Sequence, residues 1–436
     1  MQLRTLHTIF LFVVVLLGAG FYHVQPQLDQ HIGLARNHSN LWNMIVKSNI
    51  KNMTSSMMEA AQKSLETQHL AFNSENSVST SRNKLQRINI GTCQPHLSVA
   101  FLKVHKCGST TVSNDVMFRF AFKHNLIAAL PNRDRPILGS LGRIRDSDYK
   151  KPPKGKRWNI FAHHAMYNRT RFRQLMAPDT RYVTILREPL QRLKSAFQYF
   201  HLEDRFPGLQ KQTPRGVAYV TTYLKRPGYW DTHYQQPPTP DGREHRCLRN
   251  CLGRDLGLSE KHYDNNTAVQ EFIQGIENDF TTVLILEYLP ESLVLLKRRM
   301  CWTLYDILYA HGTYSRKQRY KGKEVITGAM KDGFYKHNKA DVMLYTRFND
   351  SLHRQISQEG TDFLEEVKHF KRTNDNVLGF CQSKKWRRQR NLIVEKSKWN
   401  DAFSVNVGNS FCKLYDKDRK YWHLKLKSAY EKKQRR

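Results

Sequence analysis

Acidic side chains are scarce in this sequence. Its 436 residues hold 38 Asp and Glu against 71 Lys and Arg, a formal charge of +33. Such an excess favours polyanionic partners, whether nucleotides, nucleic acid, acidic glycans or anionic lipid surfaces, and is silent about fold. Cysteine is sparse as well. Seven residues, at 93, 107, 247, 251, 301, 381 and 412, are too few for a disulfide scaffold, and the odd count leaves one thiol free or paired to another chain. Cys247 and Cys251 have no second Cys or His pair at zinc-finger spacing, which argues against a structural zinc site. The chain has no GxxxxGK(S/T) loop, which disfavours a P-loop kinase. It carries no RNA or DNA module signature either, so the charge alone does not make it a nucleic-acid binder.

Long apolar runs are almost absent, and the exception stands at the N-terminus. Residues 9–22, IFLFVVVLLGAGFY, follow Arg4 and are almost wholly apolar, the mark of a targeting segment. Gly18 and Gly20 offer the small residues of a signal-peptidase site, whereas extension to Leu6 and Val24 approaches the lower limit of a spanning helix, about 17 residues. The preferred reading is a membrane anchor: residues 1–24 form a cytoplasmic tip and signal-anchor helix, and the positive flank places the C-terminus in the lumen. Residues 25–92 are rich in Asn, Ser, Gln and Met, with helical periodicity only around 41–50. This composition reads as a lumenal stem. Sequons at Asn37, Asn52, Asn168, Asn265 and Asn349 are candidate glycosylation sites and mild support for the secretory pathway.

From Cys93 to the C-terminus the pattern is that of one large domain, 93–436. Apolar runs of the buried-strand type recur at 97–102, 157–162, 181–186 and 280–286, and at least three lead into helical patterns. The alternation predicts an α/β fold with a central, mainly parallel sheet flanked by helices. Ligands of such sheets sit at the carboxyl ends of the strands, where the loops after Leu102, Ala162 and Leu186 fall. Residues 203–262 are rich in Pro, Tyr, Trp and His with little periodicity, and read as a lid, an acceptor-binding loop or a plain surface excursion. Helical segments follow near 290–309 and 340–372, then the basic run 384–390 and a basic end.

Two stretches carry the chemistry. The first is LSVAFLKVHKCGSTTVSNDVMFRF, 97–120: a strand, a tight loop from Lys103 to Thr111, then a helix with Val112, Val116, Phe118 and Phe120 on its buried side. A strand, a loop with glycine and hydroxyls, and a helix N-terminus make an anion site. Two lysines and a histidine suit it to phosphate or sulfate. The bland alternative is a basic β–α turn in a basic protein. The second is Arg187-Glu188-Pro189 at the end of the third run, with Pro189 suited to the first turn of a helix. Leu190, Leu193, Phe197 and Phe200 supply its core side, and Ser195 lies eight residues after Arg187. Arg is a bidentate clamp for phosphate and Ser adds a donor. Alternatively, Arg187 caps the strand end and Ser195 bonds its own helix.

In this order, each at a strand end, the two stretches resemble the sulfotransferase superfamily. The blocks FLKVHKCGSTTV (101–112), NIFAHHAMY (159–167), ILREPLQRLKSAFQYF (185–200), LRNCLGRDLG (248–257) and EYLPESLVLLKRRMCWTLYDILY (287–309) narrow the resemblance to the galactose-3-O-sulfotransferase family. Departures from the family pattern stand at Cys107, Gly108, His163 and Glu188. The resemblance implies a P-loop-like sulfotransferase fold and PAPS (3′-phosphoadenylyl sulfate) as sulfate donor, with no metal required. It implies that Lys106, Cys107, Gly108, Ser109, Thr110 and Thr111 hold the 5′-phosphosulfate, and that Arg187 and Ser195 hold the 3′-phosphate. It also implies a single-pass type II protein of the Golgi membrane, acting on the 3-hydroxyl of galactose in a glycolipid or glycan. It allows a homo-oligomer and implies no nucleic-acid partner. Two rivals stay open: a glycosaminoglycan (uronyl 2-O-type) sulfotransferase, and a secreted basic glycan-binding protein.

Sulfuryl transfer needs an in-line donor, a base for the acceptor hydroxyl, and positive charge on the sulfuryl oxygens and the departing phosphate. Lys106 and the helix after it meet the last need, with Lys103 assisting. Histidine is the base best matched to neutral pH, and two candidates exist, His105 in the loop and His164 on the neighbouring strand end. The preference is for His105, with His164 orienting or binding the acceptor. Tyr199, Arg249 and Asn250 are candidate acceptor or adenine contacts. Cys301, between Met300 and Trp302, reads as core or disulfide.

Overall fold

The computed structural model describes residues 93–132, 138, 144–235, 247–310, 322–383, 391–406, 411–414 and 417–434. The apolar run at 9–22, the stem, Asn37, Asn52 and the basic run at 384–390 lie outside the described residues.

All four apolar runs form strands: β1 (Val99–Leu102), β2 (Ile160–Phe161), β3 (Arg181–Leu186) and β4 (Phe280–Ile285). They pair in the order β2-β1-β3-β4, every pair parallel. β1 is buried along its whole length, as a parallel sheet covered on both faces requires. β2 is shorter than the run that encodes it because Trp158 bridges Met176 instead, and the Asn159 side chain accepts from the Ile127 amide at 3.1 Å. The α/β expectation therefore holds, with a purely parallel main sheet.

Helices follow the strands. After β1, helix α1 begins as Ser109–Thr111, passes through a π-helical segment, Val112–Phe118, and ends as Arg119–Lys123. Helix α2 (Arg169–Leu175) follows β2, and α3 (Pro189–Phe200) follows β3 with Pro189 in its first turn. Glu188 caps α3, its carboxylate accepting from the amides of Leu190 and Gln191 at 2.9 and 2.8 Å. The short α4 (Cys251–Asp255) and α5 (Asn266–Asp279) precede β4, and α6 (Leu289–Met300) follows it. Helices α7 (Gly328–His337), α8 (Lys339–Gln358) and α9 (Phe363–Gln382) lead to an antiparallel pair, β5 (Asn391–Val394) with β6 (Phe403–Asn406), and to α10 (Arg419–Gln434).

The helical segments near 290–309 are α6 and a short helix, Leu304–Ile307, parted where Cys301 takes a left-handed backbone and a disulfide to Cys93. Those near 340–372 are α8 and α9, parted where Gly360 adopts φ +94°. One expectation is corrected: the described residues of 203–262 are far from irregular, with helices Leu209–Gln212, Tyr219–Lys225, Pro227–Thr232 and α4 among them. Phe206, Tyr223 and Trp230 pack there with Leu193 and Phe197 of α3 and Phe334 of α7 as a second apolar cluster. Aromatic residues at short spacing build that cluster without an amphipathic period. Further disulfides join Cys247 to Cys251 and Cys381 to Cys412, which leaves Cys107 as a buried free thiol.

Glu366 on α9 ties that helix to α6. It is 1% exposed, accepts from Lys297 Nζ at 2.7 Å with one oxygen, and accepts from Arg298 Nε at 2.7 Å with the other. Breaking a buried pair leaves uncompensated charge. Glu366→Gln is expected to cost about 3 kcal/mol, the lower end for such a loss because Arg298 keeps some solvent. The urea midpoint measures it, and an unchanged midpoint would refute the assignment.

Candidate active site

The carboxyl ends of β1, β2 and β3 share one edge, and the loops leaving them converge. The loop after β1 turns sharply. Lys106 (φ 65°) and Gly108 (φ 69°) are both left-handed, a conformation glycine adopts freely and lysine only under constraint. A Cβ on Gly108 would fall 2.5 Å from Leu286 Cδ1, so the position is also closely packed. Gly108 is the N-cap of α1 and supplies no side-chain cap, so the first-turn amides lack the oxygen that Ser or Asp would offer. A helix start of this kind attracts anions.

The loop's side chains divide between framework and site. Ser109 is buried and its hydroxyl donates to the Val104 carbonyl at 3.0 Å, so only its backbone faces a ligand role. Cys107 is buried, and burial pushes its thiol well above the ordinary range, which keeps it neutral. Thr110, Thr111 and Ser195 are half-buried. Lys103 is 3% exposed; its amine donates to Ser113 Oγ at 3.1 Å, within the π-helical segment of α1. Burial, with Arg419 nearby, lowers its pKa to about 7. The π-segment places Ser113 where that amine can bond, a local irregularity of the sort found at functional sites.

Lys106 is more accessible. Its Nζ lies 3.6 Å from the centre of the Tyr199 ring, a cation–π contact that joins the loop to α3. Tyr199 is therefore at the site, as the lysine's partner. Burial lowers the Lys106 pKa to about 8, assisted by Arg187 and Arg192. Arg187 donates from Nη1 to the Lys106 carbonyl at 3.2 Å, while its buried Nε has no hydrogen-bond partner among the described residues. An oxoanion would satisfy that N–H, so these residues suit a phosphate-bearing donor. Arg192, Ser195 and Tyr199 follow at helical spacing, and the Lys106–Tyr199 contact turns their face of α3 towards the loop.

The histidines form a stacked pair. The rings of His105 and His164 lie 3.9 Å apart at 15°. Asp255, at the end of α4, accepts from both the backbone N–H and Nδ1 of His105 at 2.7 Å through Oδ2. Burial works against ionisation of Asp255, but the charge and hydrogen bonds of His105 hold its carboxyl below the usual range. With Nδ1 donating to the carboxylate, His105 Nε2 is left as an acceptor. His164 donates from Nδ1 to the Lys103 carbonyl at 3.1 Å, and burial, with His105 and Lys103 adding to it, holds its pKa well below the usual value. His163 is buried against the Ala129 carbonyl, and burial lowers its pKa to about 3. The arrangement can hold an anion on the loop while an oriented imidazole accepts a proton beside it.

Two expected contacts belong elsewhere. Asn250 is fully buried, its amide donating to Asn338 Oδ1 at 2.9 Å and its own Oδ1 accepting from the Asp341 amide at 3.1 Å. No acceptor can touch it. Arg249 pairs with Asp264 and donates from Nε to the His337 carbonyl at 2.8 Å, so its guanidinium braces 249–264 against α7. Of the three sequons among the described residues, Asn168 and Asn265 cap helices through their side chains; Asn265 is exposed, whereas Asn168 and Asn349 are half-buried.

The chief residue that sequence reasoning misses is Asp255. It stands inside the block 248–257, yet nothing in spacing brings it 150 positions back to His105. What fixes it is the Cys247–Cys251 bridge together with Asp341, which accepts from the amides of Leu252 and Gly253 at 3.0 and 2.8 Å. Burial raises Asp341 to about 6, against the two amides that lower it. Arg419 on α10 has no signal in the sequence either; it is half-buried and its charge bears on Lys103, His163 and His164.

A family model described as galactose-3-O-sulfotransferase matches residues 37–397. Galactosylceramide sulfotransferase of Bos taurus is 32% identical over 295 residues, 67% of this chain and 65% of that protein. Galactose-3-O-sulfotransferase 3 of Bos taurus is 31% identical over 287 residues, 66% of this chain and 64% of that protein. Galactose-3-O-sulfotransferase 2 of Sus scrofa is 34% identical over 218 residues, covering 49% and 51%. The chain thus spans slightly under two thirds of the length of the first two relatives.

Proposed function

The chain belongs to the galactose-3-O-sulfotransferase family, and from that premise we propose that it moves a sulfuryl group from PAPS to the 3-hydroxyl of a terminal galactose. The observation that carries the proposal is the His105–Asp255 pair set beside the Lys106 loop. PAPS supplies an activated sulfuryl group on a phosphate leaving group. Lys106 and the first-turn amides of α1 bind and neutralise that end of the donor, with Arg187 and Ser195 on its 3′-phosphate. His105 Nε2 takes the proton of the galactose hydroxyl as the new O–S bond forms and the bond from sulfur to the phosphate oxygen breaks. The electron pair stays on that phosphate oxygen, opposite Lys106. Asp255 fixes the His105 tautomer and stabilises the imidazolium. His164, held neutral, packs on the face of that ring and keeps it in place.

In the same reading, residues 1–24 anchor the chain in the Golgi membrane with 93–436 in the lumen. Three disulfides among the described residues support an oxidising compartment. The acceptor is a galactose-terminated glycolipid or glycan. The test is a panel of labelled-sulfate acceptors offered to the full chain: galactosylceramide, a galactose-terminated glycopeptide, lactosides, desulfated heparin and chondroitin. Label on galactosides alone is the expected result. Label confined to the glycosaminoglycans would move the activity to the uronyl class, which the charge of +33 would suit.

A further inference from the structure

On the sheet edge opposite the histidines lies an open cavity of about 630 Å³. It is bordered by Arg181 and Phe280, the first residues of β3 and β4, and by α2. Four arginines line it, Arg157, Arg169, Arg173 and Arg181, against one carboxylate, Asp279. That carboxylate is already engaged: Arg169 Nε pairs with one oxygen at 2.8 Å and the Tyr167 hydroxyl donates to the other at 2.9 Å. Arg157 Nη1 donates to the Arg173 and Met176 carbonyls at 3.2 and 3.5 Å, which ties its guanidinium to the C-terminal end of α2. Arg173 and Arg181 are exposed, and their guanidinium groups have no acceptor among the described residues. The cavity therefore holds surplus forked donors with nothing to bind. Its wall includes the half-buried Tyr182, set edge-on to Tyr167 at 5.7 Å.

We propose that this cavity is a binding site for a sugar carrying a sulfate or phosphate ester, separate from the transfer centre. Guanidinium forks match the oxygens of such esters, whereas they offer an uncharged sugar little. A concave site with an aromatic wall and few charges of opposite sign takes a ring-bearing ligand, and its volume holds one or two sugar rings. Flat adhesion to a lipid surface would call instead for a protruding basic face. The site does not depend on the transfer reading, because neither His105 nor the Lys106 loop contributes to it.

The experiment titrates the full chain with a disulfated heparin disaccharide by calorimetry. Arms with the unsulfated disaccharide, a sugar phosphate, inorganic sulfate and anionic phosphatidylserine vesicles run beside it. The double variant Arg173→Gln/Arg181→Gln is expected to weaken the disaccharide about tenfold or more, as the loss of two charge-assisted contacts in partial solvent would. Arg187→Ala, at the other edge, is expected to leave this affinity unchanged. Both arginines are exposed, so the melting temperature of the double variant is expected to match the parent. Equal affinity in the double variant would overturn the site. So would inorganic sulfate binding as tightly as the disaccharide, or vesicles captured through these arginines while the sugars fail to bind.

Discussion

His105→Ala is expected to lower kcat about 10²–10⁴-fold, the range for loss of a positioned general base, with donor affinity close to that of the parent chain. The expectation follows from geometry. His105 is the ring whose Nδ1 is held by a carboxylate, at 2.7 Å, whereas the Nδ1 of His164 rests on a backbone carbonyl. A carboxylate stabilises the imidazolium that forms when the acceptor proton arrives; a carbonyl does so less. Asp255→Asn separates orientation from charge. The amide can still accept from the His105 backbone, but it no longer offers a negative charge to the ring. Its kcat is expected to fall about 10²-fold with KM for both substrates little changed. His164→Ala is expected to lose less than His105→Ala. Single-turnover rates measure all three, and a His105→Ala chain retaining the parent rate would remove the proposed base.

Lys106→Ala comes second, with kcat/KM expected to fall about 10²–10³-fold, the scale for loss of one preorganised charge on a leaving group. The pH profile adds a signature. Burial first, then Arg187, lowers Lys106 to about 8. A lysine so lowered carries its charge below that value and loses it as pH rises through it. The alkaline limb of kcat/KM in the parent chain should therefore fall near pH 8, since this ratio reports the free protein. For stability the sign runs the other way: between about 8 and the ordinary 10.5 the unfolded chain binds more protons than the folded one, so this group makes the fold more stable as pH rises. Lys106→Arg keeps its charge across the range and is expected to move the limb upward while recovering part of the rate. An unshifted limb in Lys106→Arg would show that another group sets it.

Much of this site is legible in the amino-acid sequence. Leu102, Ala162 and Leu186 each end a buried apolar run, so periodicity alone places three loops on one edge of a parallel sheet. The Lys106 loop and Arg187 then follow from the residue types an oxoanion needs, and their contact through the Lys106 carbonyl brings the two stretches together. Other parts have no local signal. Asp255 reaches His105 only because a disulfide and the buried Asp341 carboxylate hold a five-residue helix in place. Tyr223 and Trp230 build a core from single aromatic residues, so 203–262 carries no period to read. Asn250 misleads for the converse reason: a polar residue in a motif reads as a ligand until its burial and its bonds to Asn338 and Asp341 are seen.

The most direct measurement is sulfate transfer by the purified full chain from labelled PAPS to a lactoside, followed by periodate oxidation of the product. A sulfate on the 3-hydroxyl of galactose removes both vicinal diols of that ring, so labelled galactose that survives periodate is the expected result. Labelled galactose destroyed by periodate, or no label transferred by a folded chain that also fails to bind PAPS, would contradict the proposed reaction.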